Sequence, residues 1–546
     1  VLDPTRLVVD NSPCPHPWGP NIHVSSDIDD FHLYANIPDQ AKSIEGALEQ
    51  FALRPLWSYS SHGDTLRSGQ EPLILSEFGN WGMPSLASAQ AYYDGDPPWF
   101  DLGPWWSPWE GEPGWPMGVA ERFQALGLDR VWCDYECFAE ATQWHQFEAL
   151  KFQIDIMRRL PTLAGYVVTE LTDAYWESNG LLDFQRAPKA YHDLFRTINS
   201  PDAVVPEASR YSYWDDERAA LFLHASRYSR SSWQGAELRW KLGEAGTEGA
   251  VVVGELAHGE VKLLGARRFE LPRVEEPQTV PFQFVLENSS GQELARNSFE
   301  PYVLPAATRP PRYQEPVVVI TRYEGRSANP IDTSTLASTP VAEPAGEGAQ
   351  PLSVGSDEGT VTYQLTHSLR SLGYRVHKEL TPETKVVVST YPNAKLLEWV
   401  RKGGDLLFLS RGLSPFFWVQ SRGAAYSGGW ISSFSWLRPE VHRRLGGVRN
   451  PLGLPFTEIM PRSTILGLPL KDEAVQDDFL AGMVAGWVRH PAVHTVQFRY
   501  GRGRVVMTTF ELEAALPRDP VAVAMFHDLL EHLTSDACQP TLESNY

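Results

Sequence analysis

Along the first 200 residues, short apolar runs alternate with stretches of helical periodicity. Leu7-Val-Val9 leads into Asp10-Asn11-Ser12, and the segment from Val24 to Tyr34 carries Asp27 and closes on His32-Leu-Tyr34. Leu73-Ile-Leu75 leads into Glu77, and Tyr166-Val-Val168 into Glu170 and Asp173. The pattern predicts four strands, each delivering polar or aromatic residues at its end. Residues 141–160 predict an amphipathic helix, with Phe147, Leu150, Ile154 and Met157 at three- and four-residue spacing. This order predicts βα units on a parallel sheet, half of a (β/α)8 TIM barrel over residues 1–204. Four strands cannot close such a barrel, so the other half is expected from residues before Val1, from another chain, or not at all.

Near Val205 the period changes to two. Ala236, Leu238, Trp240 and Leu242 alternate with Glu237, Arg239 and Lys241, and Phe282, Phe284 and Leu286 repeat the pattern before the turn Asn288-Ser-Ser-Gly291. Half-buried antiparallel strands read this way, predicting a β-sandwich over residues 205–305 and a Pro-rich linker over 306–316. From Val317 the strand-helix alternation returns. Val317-Val-Val-Ile320, a helix closed by Gly373, Val386-Val-Val388, a helix stopped by Gly403-Gly404, and Leu406-Leu-Phe-Leu409 predict an open, doubly wound α/β domain over 317–536. Residues 327–359 read as a long surface loop and 537–546 as a frayed tail.

A chain of 546 residues predicts about three domains. The net charge of -21 argues against nucleic acid or an anionic membrane as the main partner, because either needs a basic face. No apolar window reaches the length of a membrane span, and Val1-Leu2-Asp3 has no leader pattern. The missing initiator methionine suggests processing or truncation, and the compartment, cytoplasmic or secreted, stays open. Cys14, Cys133, Cys137 and Cys538 are too few for a disulfide framework and have no second ligand pair for zinc, so they are expected to be free thiols. Trp99, Trp105, Trp106, Trp109 and Trp115 fall in one Pro/Gly-rich segment. That segment reads either as a stacking platform for sugar faces or as a loop packing its own aromatics.

Candidate chemistry centres on Glu77, at the end of Pro72-Leu-Ile-Leu-Ser-Glu-Phe-Gly79, where a barrel strand presents catalytic groups. A second such carboxylate, after an Asn at a strand end, is not seen in the chain. Leu2-Asp-Pro-Thr-Arg-Leu-Val-Val-Asp-Asn-Ser12, the run from Asp27 to Tyr34, Ser76-Glu-Phe-Gly79, and the segment from Asp173 to Lys189 with Asn179-Gly180 and Pro188-Lys189 together resemble the second half of the catalytic barrel of glycoside hydrolase family 2. That is the family of bacterial β-galactosidases, β-glucuronidases and β-mannosidases.

The resemblance implies a retaining, exo-acting β-glycosidase, β-galactosidase-like as a first guess, acting on a β-linked oligosaccharide or glycoside. Glu77 would be the nucleophile and Tyr34 the residue that orients it. The acid/base would come from an N-terminal part or partner chain that completes the barrel in a homo- or hetero-oligomer. Asp10, Asn11, Asp27, His32, Asn80, Trp81, Glu170, Asp173 and Trp176 would be sugar contacts. Each has a structural alternative: His32 a satisfied core histidine, Asp10 a cap, Asp173 a partner of Arg186, Glu77 a structural ion pair. The family allows Mg2+ or Na+ near the site, but no dedicated cluster of oxygen ligands is visible here, so no metal or other cofactor is assigned. The eighth strand, Thr169-Glu-Leu-Thr-Asp173, departs from the tryptophan-bearing strand of the family.

The third domain resembles class I glutamine amidotransferase-like, or ThuA-like, domains, with Gly501-Arg-Gly-Arg-Val-Val506 as its late strand. The elbow after Leu409 reads Ser410-Arg411-Gly412 and lacks the cysteine that an amidase needs, which predicts a non-catalytic packing or oligomerisation module. Ser410 or Ser414 with His367 or His527 is the minor alternative, a serine hydrolase. The rival to the whole enzymatic reading is a catalytically silent glycan-binding or scaffolding protein.

Overall fold

The computed structural model describes residues 5–12, 22–102, 112–243, 248–320, 358–410, 419–421, 433–446 and 451–544. Three of the apolar runs near the start form a parallel sheet in the order β1 (Asp29–His32), β2 (Leu73–Phe78), β3 (Leu163–Val168). Around it lie α1 (Ala41–Ala52), α2 (Leu86–Tyr93), α3 (Val119–Ala125), α4 (Tyr135–Arg159) and α5 (His192–Ile198). Helix α4 starts at Asp134, whose carboxylate accepts the Cys137 N–H at 2.8 Å, a side-chain cap that satisfies one of the free donors of the first turn. Its inner face continues the predicted spacing: Leu150, Ile154 and Met157 pack with Ile44, Leu48 and Phe51 of α1 and with Leu73 and Leu75 of β2.

No closed barrel is present among the described residues; the sheet containing β1 to β3 stops at three strands. The predicted first strand does not form. Leu7 is 69% exposed, and the run has no strand beside it; Val8 and Asp27 instead hold each other, Val8 N–H donating to Asp27 Oδ2 and Asp27 N–H to Val8 O, both at 2.8 Å.

Period-two patterning produces antiparallel pairing. Glu237–Leu242 lies against Phe282–Glu287 with Leu238 opposite Leu286, Trp240 opposite Phe284 and Leu242 opposite Phe282. Glu293–Phe299 and Glu248–Val252 complete this four-stranded sheet. A three-stranded sheet, Ala203–Ala208, Arg218–Ser226 and Val261–Glu270, shares its core through Leu221, Leu223 and Phe269. Beyond it, Val376–His377, Val317–Ile320, Val386–Ser389, Asp405–Leu409 and Gly503–Thr508 run parallel in that order, and His490–Tyr500 returns antiparallel through a turn with Gly501 at φ +62°. The predicted helix before Gly373 spans Glu358–Ser371. The predicted loop over 327–359 lies almost wholly outside the described residues.

The first and last of these regions share one core. Trp487 is fully buried against Trp99 and Phe100, and its indole N–H donates to Trp176 O at 2.8 Å. Trp115 is covered by the Arg489 guanidinium, 4.0 Å above its ring. Trp99 and Trp115 therefore pack inward, while Trp105, Trp106 and Trp109 lie outside the described residues.

Two expectations are corrected. Cys133 and Cys137, one helical turn apart, are joined as a disulfide rather than held as free thiols; Cys538 is free and buried, and Cys14 lies outside the described residues. The tail predicted from residue 537 is not frayed as far as residue 544. Asp478, itself buried, accepts the backbone N–H groups of Thr541 and Leu542 and the Thr541 hydroxyl, and Arg499 N–H donates to Leu542 O at 2.8 Å. A buried carboxylate needs such donors, and the tail supplies them.

Trp487→Ala should cost about 3–5 kcal/mol of unfolding free energy, the usual range for emptying a large aromatic site. Because the indole packs these two regions together, chemical denaturation should show residues 22–199 and 358–544 losing structure at the same lowered midpoint.

Candidate active site

In a regular strand, successive side chains point to opposite faces. Strand β2 breaks that rule at the residues that matter. Phe31 pairs with Leu75 and the next residue, His32, with Glu77, so Ser76 is an extra residue; on the other side the pairing jumps from Leu75–Tyr166 to Phe78–Val168. Such a bulge lets two consecutive side chains serve one side. Ser76 Oγ donates to Asp30 Oδ2 at 2.5 Å, and Glu77 reaches His32 and Tyr34.

The Tyr34 hydroxyl donates to Glu77 Oε2 at 2.9 Å, and His32 Nδ1 lies 3.1 Å from the same oxygen. The hydrogen bond from His32 holds the Glu77 carboxyl below its ordinary range, against the opposing effect of partial burial and with further help from Tyr34. Burial pushes the Tyr34 phenol well up, so it stays a donor. Glu170 follows β3 and is pushed the other way, by burial first and then by the charge of Glu77, with Lys189 opposing; its Oε1 is buried without a hydrogen-bond partner. The two carboxyls are thus driven in opposite directions, Glu77 towards its ionised form and Glu170 towards its neutral form.

The remaining predicted residues fall in two places. Asp10, Asn11 and Asp27 tie down the segment next to β1. Asp10 accepts the N–H groups of Val24 and Ser25 at 2.7 Å and lies 2.6 Å from His23 Nδ1, while Asn11 donates to Ile22 O at 3.0 Å. Burial raises the Asp10 carboxyl, but these donors outweigh it and bring it below its ordinary value. Asn80, Trp81, Asp173 and Trp176 form a buried floor. Asn80 donates to Ala35 O and accepts from Gln153, and the rings of Trp81 and Trp176 meet at 5.7 Å with 0% and 3% exposure, which leaves neither indole a face for a sugar. Asp173 pairs with Lys189 at 2.8 Å rather than with Arg186, and accepts the Gly180 N–H at 2.9 Å. Burial pushes the Asp173 carboxyl up and the Lys189 amine down, each opposed by its partner.

The structure thus brings Glu77, Tyr34, His32 and Glu170 together, and leaves Asp10, Asn11, Asp27, Asn80, Trp81, Asp173 and Trp176 as its supports. Sequence reasoning passed over Asp30, Ser12, Ser76 and His23, which the structure links to His32. The alternation Asp30, His32 on one strand was the available signal. Close backbone packing fixes the floor: a Cβ on Gly79 would sit 2.3 Å from Thr169 O, and one on Gly180 2.1 Å from Asp173 N.

Other candidates in the chain are weaker. Among the described residues, Cys133, Asp134 and Cys137 cluster closely enough to hold a metal, but their sulfurs are bonded to each other and no thiolate is left to ligate. In the third domain Ser410 is buried, His367 is exposed, and both ring nitrogens of His527 are occupied, Nδ1 by the Tyr374 hydroxyl at 2.5 Å and Nε2 by Arg309 O at 2.8 Å. Burial lowers His527 to about 4, so it serves as a structural neutral imidazole; Ser414 lies outside the described residues. A cavity of about 580 Å³ opens between α4, the antiparallel sheets and residues 451–456, lined by Trp144, Glu148, Arg159 and Tyr211, but it includes none of the Glu77 group.

No family model matches the chain, and no curated protein matches it. Among solved structures it is similar to a β-D-mannosidase from Dictyoglomus thermophilum, at 15% identity and a TM-score of 0.28 over 42% of this chain and 27% of that one. It is also similar to the exo-chitosanase CsxA of Amycolatopsis orientalis, at 18% and 0.22 over 32% and 20%, and to a β-glucuronidase of Parabacteroides merdae, at 11% and 0.15 over 39% and 24%. The chain thus spans about a quarter of the length of these β-glycosidases. None of these likenesses is close enough to place it in a family.

The lowered Glu77 has a consequence for stability. A carboxyl whose folded value lies below its ordinary 4.5 stabilises the fold above that value, and the contribution is lost as pH falls through the folded value. Wild-type protein should therefore lose stability relative to Glu77→Gln as pH is lowered from 7 to about 3.5, a trend that urea denaturation at several pH values would read directly.

Proposed function

We propose that this chain carries the nucleophile of a retaining, exo-acting β-glycosidase of the glycoside hydrolase family 2 type, with β-galactosides as the first substrates to try. The observation that supports it most is Glu77 itself: a half-exposed carboxylate after a bulge near the end of a parallel strand, kept ionised by His32 and aimed by the Tyr34 hydroxyl. An ionised, oriented carboxylate is what attack on an anomeric carbon requires.

In this scheme a Glu77 oxygen bonds to the anomeric carbon as the bond to the aglycone oxygen breaks, and that oxygen takes a proton from a second carboxylic acid. Water then displaces Glu77, giving its proton to the same second group, and the electron pair of the ester bond returns to Glu77. The second carboxyl must lie roughly 5 to 5.5 Å from the first. We assign it to an N-terminal part or partner chain that pairs with the free edges of the three-stranded sheet and completes the barrel. In this scheme Glu170, whose charge is coupled to that of Glu77, binds a sugar hydroxyl. The third domain acts as a packing or oligomerisation module. The open sheet favours a second reading, a glycan-binding or scaffolding protein without turnover.

Nitrophenyl β-glycosides screened against the intact assembly decide between them. Glu77→Gln should lower turnover on the order of 10³-fold or more. Tyr34→Phe removes one hydrogen bond to a charged group, about 1.5–3 kcal/mol or about ten- to a hundredfold in kcat/KM. An assembly inert towards every glycoside, or a Glu77→Gln variant as active as wild type, overturns the enzymatic reading.

A further inference from the structure

One face of α4 carries Trp144, Glu148, Lys151, Phe152, Asp155 and Arg159, at three- and four-residue steps, into the cavity of about 580 Å³. The bases on this face are already used. Lys151 pairs with Asp155 at 2.5 Å, and Arg159 pairs with Glu207 at 2.9 Å and with Glu45. Glu148 and Glu300, also in the wall, have no Lys or Arg within ion-pair distance among the described residues. Glu148 is held from the opposite wall. Leu454 N–H donates to its Oε1 at 3.3 Å, and a Cβ on Gly453 would sit 2.1 Å from its Oε2. This backbone segment closes against the carboxylate yet leaves the side chain 35% exposed. Enclosure pushes the carboxyl up to about 7, with the Leu454 N–H opposing, the charge of Glu300 adding to the rise and Lys151 opposing.

His145 lines the same cavity and is 5% exposed. Its Nδ1 stops 4.0 Å from Glu148 Oε2, too far for a hydrogen bond. Neither ring nitrogen has a hydrogen bond of good geometry, the Ile37 backbone offering only a weak one. Burial lowers His145 to about 4, so at neutral pH the ring carries one proton and its other nitrogen is an acceptor without a donor. An enclosed acceptor left unpaired is costly, and here a carboxylate and an imidazole nitrogen stand together in one cavity. Aromatic rings complete the wall. Trp144, 37% exposed, meets Phe147 edge-on at 6.3 Å, and Phe152 and Phe299 line the same space.

We propose that this cavity binds a small organic ammonium ion, a primary amine carrying an apolar group, with the ammonium at Glu148 and His145 and the apolar group against Trp144 and Phe147. An ammonium has three donors and no acceptor, which matches a wall of unpaired acceptors. Its charge is also attracted to aromatic faces. The volume lies within the range of about 300–1,000 Å³ usual for small-molecule sites. A bare metal ion would leave most of that space and the aromatic wall unused. A neutral alcohol could pair the acceptors but would leave the charge of Glu148 uncompensated. The proposal does not depend on Glu77, which lies outside this cavity.

Calorimetric titration of the full chain tests it without turnover. Benzylamine is the probe, and benzyl alcohol is its neutral counterpart of the same shape. Benzylamine should bind saturably and about tenfold or more tighter than the alcohol. Glu148→Gln keeps the shape and an acceptor for Leu454 N–H; it should weaken the amine about tenfold or more and leave the alcohol unchanged. Trp144→Ala should weaken both. Glu300→Gln, at an exposed position, should weaken the amine by a smaller factor and keeps the test alive if Glu148→Gln does not fold. No saturable binding of benzylamine up to about 10 mM, or equal affinity for amine and alcohol, overturns the proposal. Amine binding that survives Glu148→Gln and Glu300→Gln and disappears in Glu77→Gln would place the amine at the other carboxylate and overturns it as well. Saturable Mn2+ binding that Glu148→Gln abolishes, with none of benzylamine, would make this a metal centre and does the same.

Discussion

The bulge at Ser76 is the constraint on which the site depends. Without it, Ser76 and Glu77 would face opposite sides of the sheet, and a polar side chain would be forced into the apolar layer that Leu73, Leu75 and Phe78 occupy. With it, Ser76 satisfies the buried Asp30 while Glu77 stands between His32 and Tyr34. The same residue that breaks the register thus supplies a hydrogen bond that makes an interior carboxylate tolerable, and the next residue becomes free for chemistry.

Beneath this group the structure is rigid for reasons of space. Gly79 and Gly180 allow backbone to pass against backbone, and Gln146 and Gln153 of α4 hold the Asn80 and Gly180 carbonyls and the Asn80 side chain. The Lys189 amine, fully enclosed, joins Asp173 to the carbonyls of Gly82 and Ser178. Such a pair contributes little net stability on its own, since desolvation offsets its attraction; removing one member would leave a charge without a partner. Trp81, Trp176 and Trp487 extend the floor into the third domain, so the parallel sheet bearing Glu77 is braced from a region some 300 residues away in the chain.

Several polar groups of residues 358–544 are used in packing: His527 sits between Tyr374 and Arg309, and Asp528 and Glu531 hold Arg444. Asp478 is spent on the C-terminal segment. That last contact was hidden from the sequence, because a polar tail with no periodicity gives no sign of which buried acceptor it will satisfy.

Local pattern alone carried a good deal. The period-two alternation around Leu238 and Phe284 predicted the antiparallel pairing, the spacing of Leu150, Ile154 and Met157 predicted α4, and the apolar run ending at Glu77 marked the central strand of the site. These features depend on near neighbours in the chain, which the sequence displays. What the tertiary structure alone decided was which polar residues face outward. Asp173, Trp81 and Trp176 look like ligands for a sugar by residue type, yet Lys189, the facing indole and Trp487 enclose them; Asp30 and Ser12 look unremarkable, yet they meet at His32. Side-chain partnership across distant segments is set by strand register and packing, and a one-residue bulge, invisible in composition or period, is enough to change it.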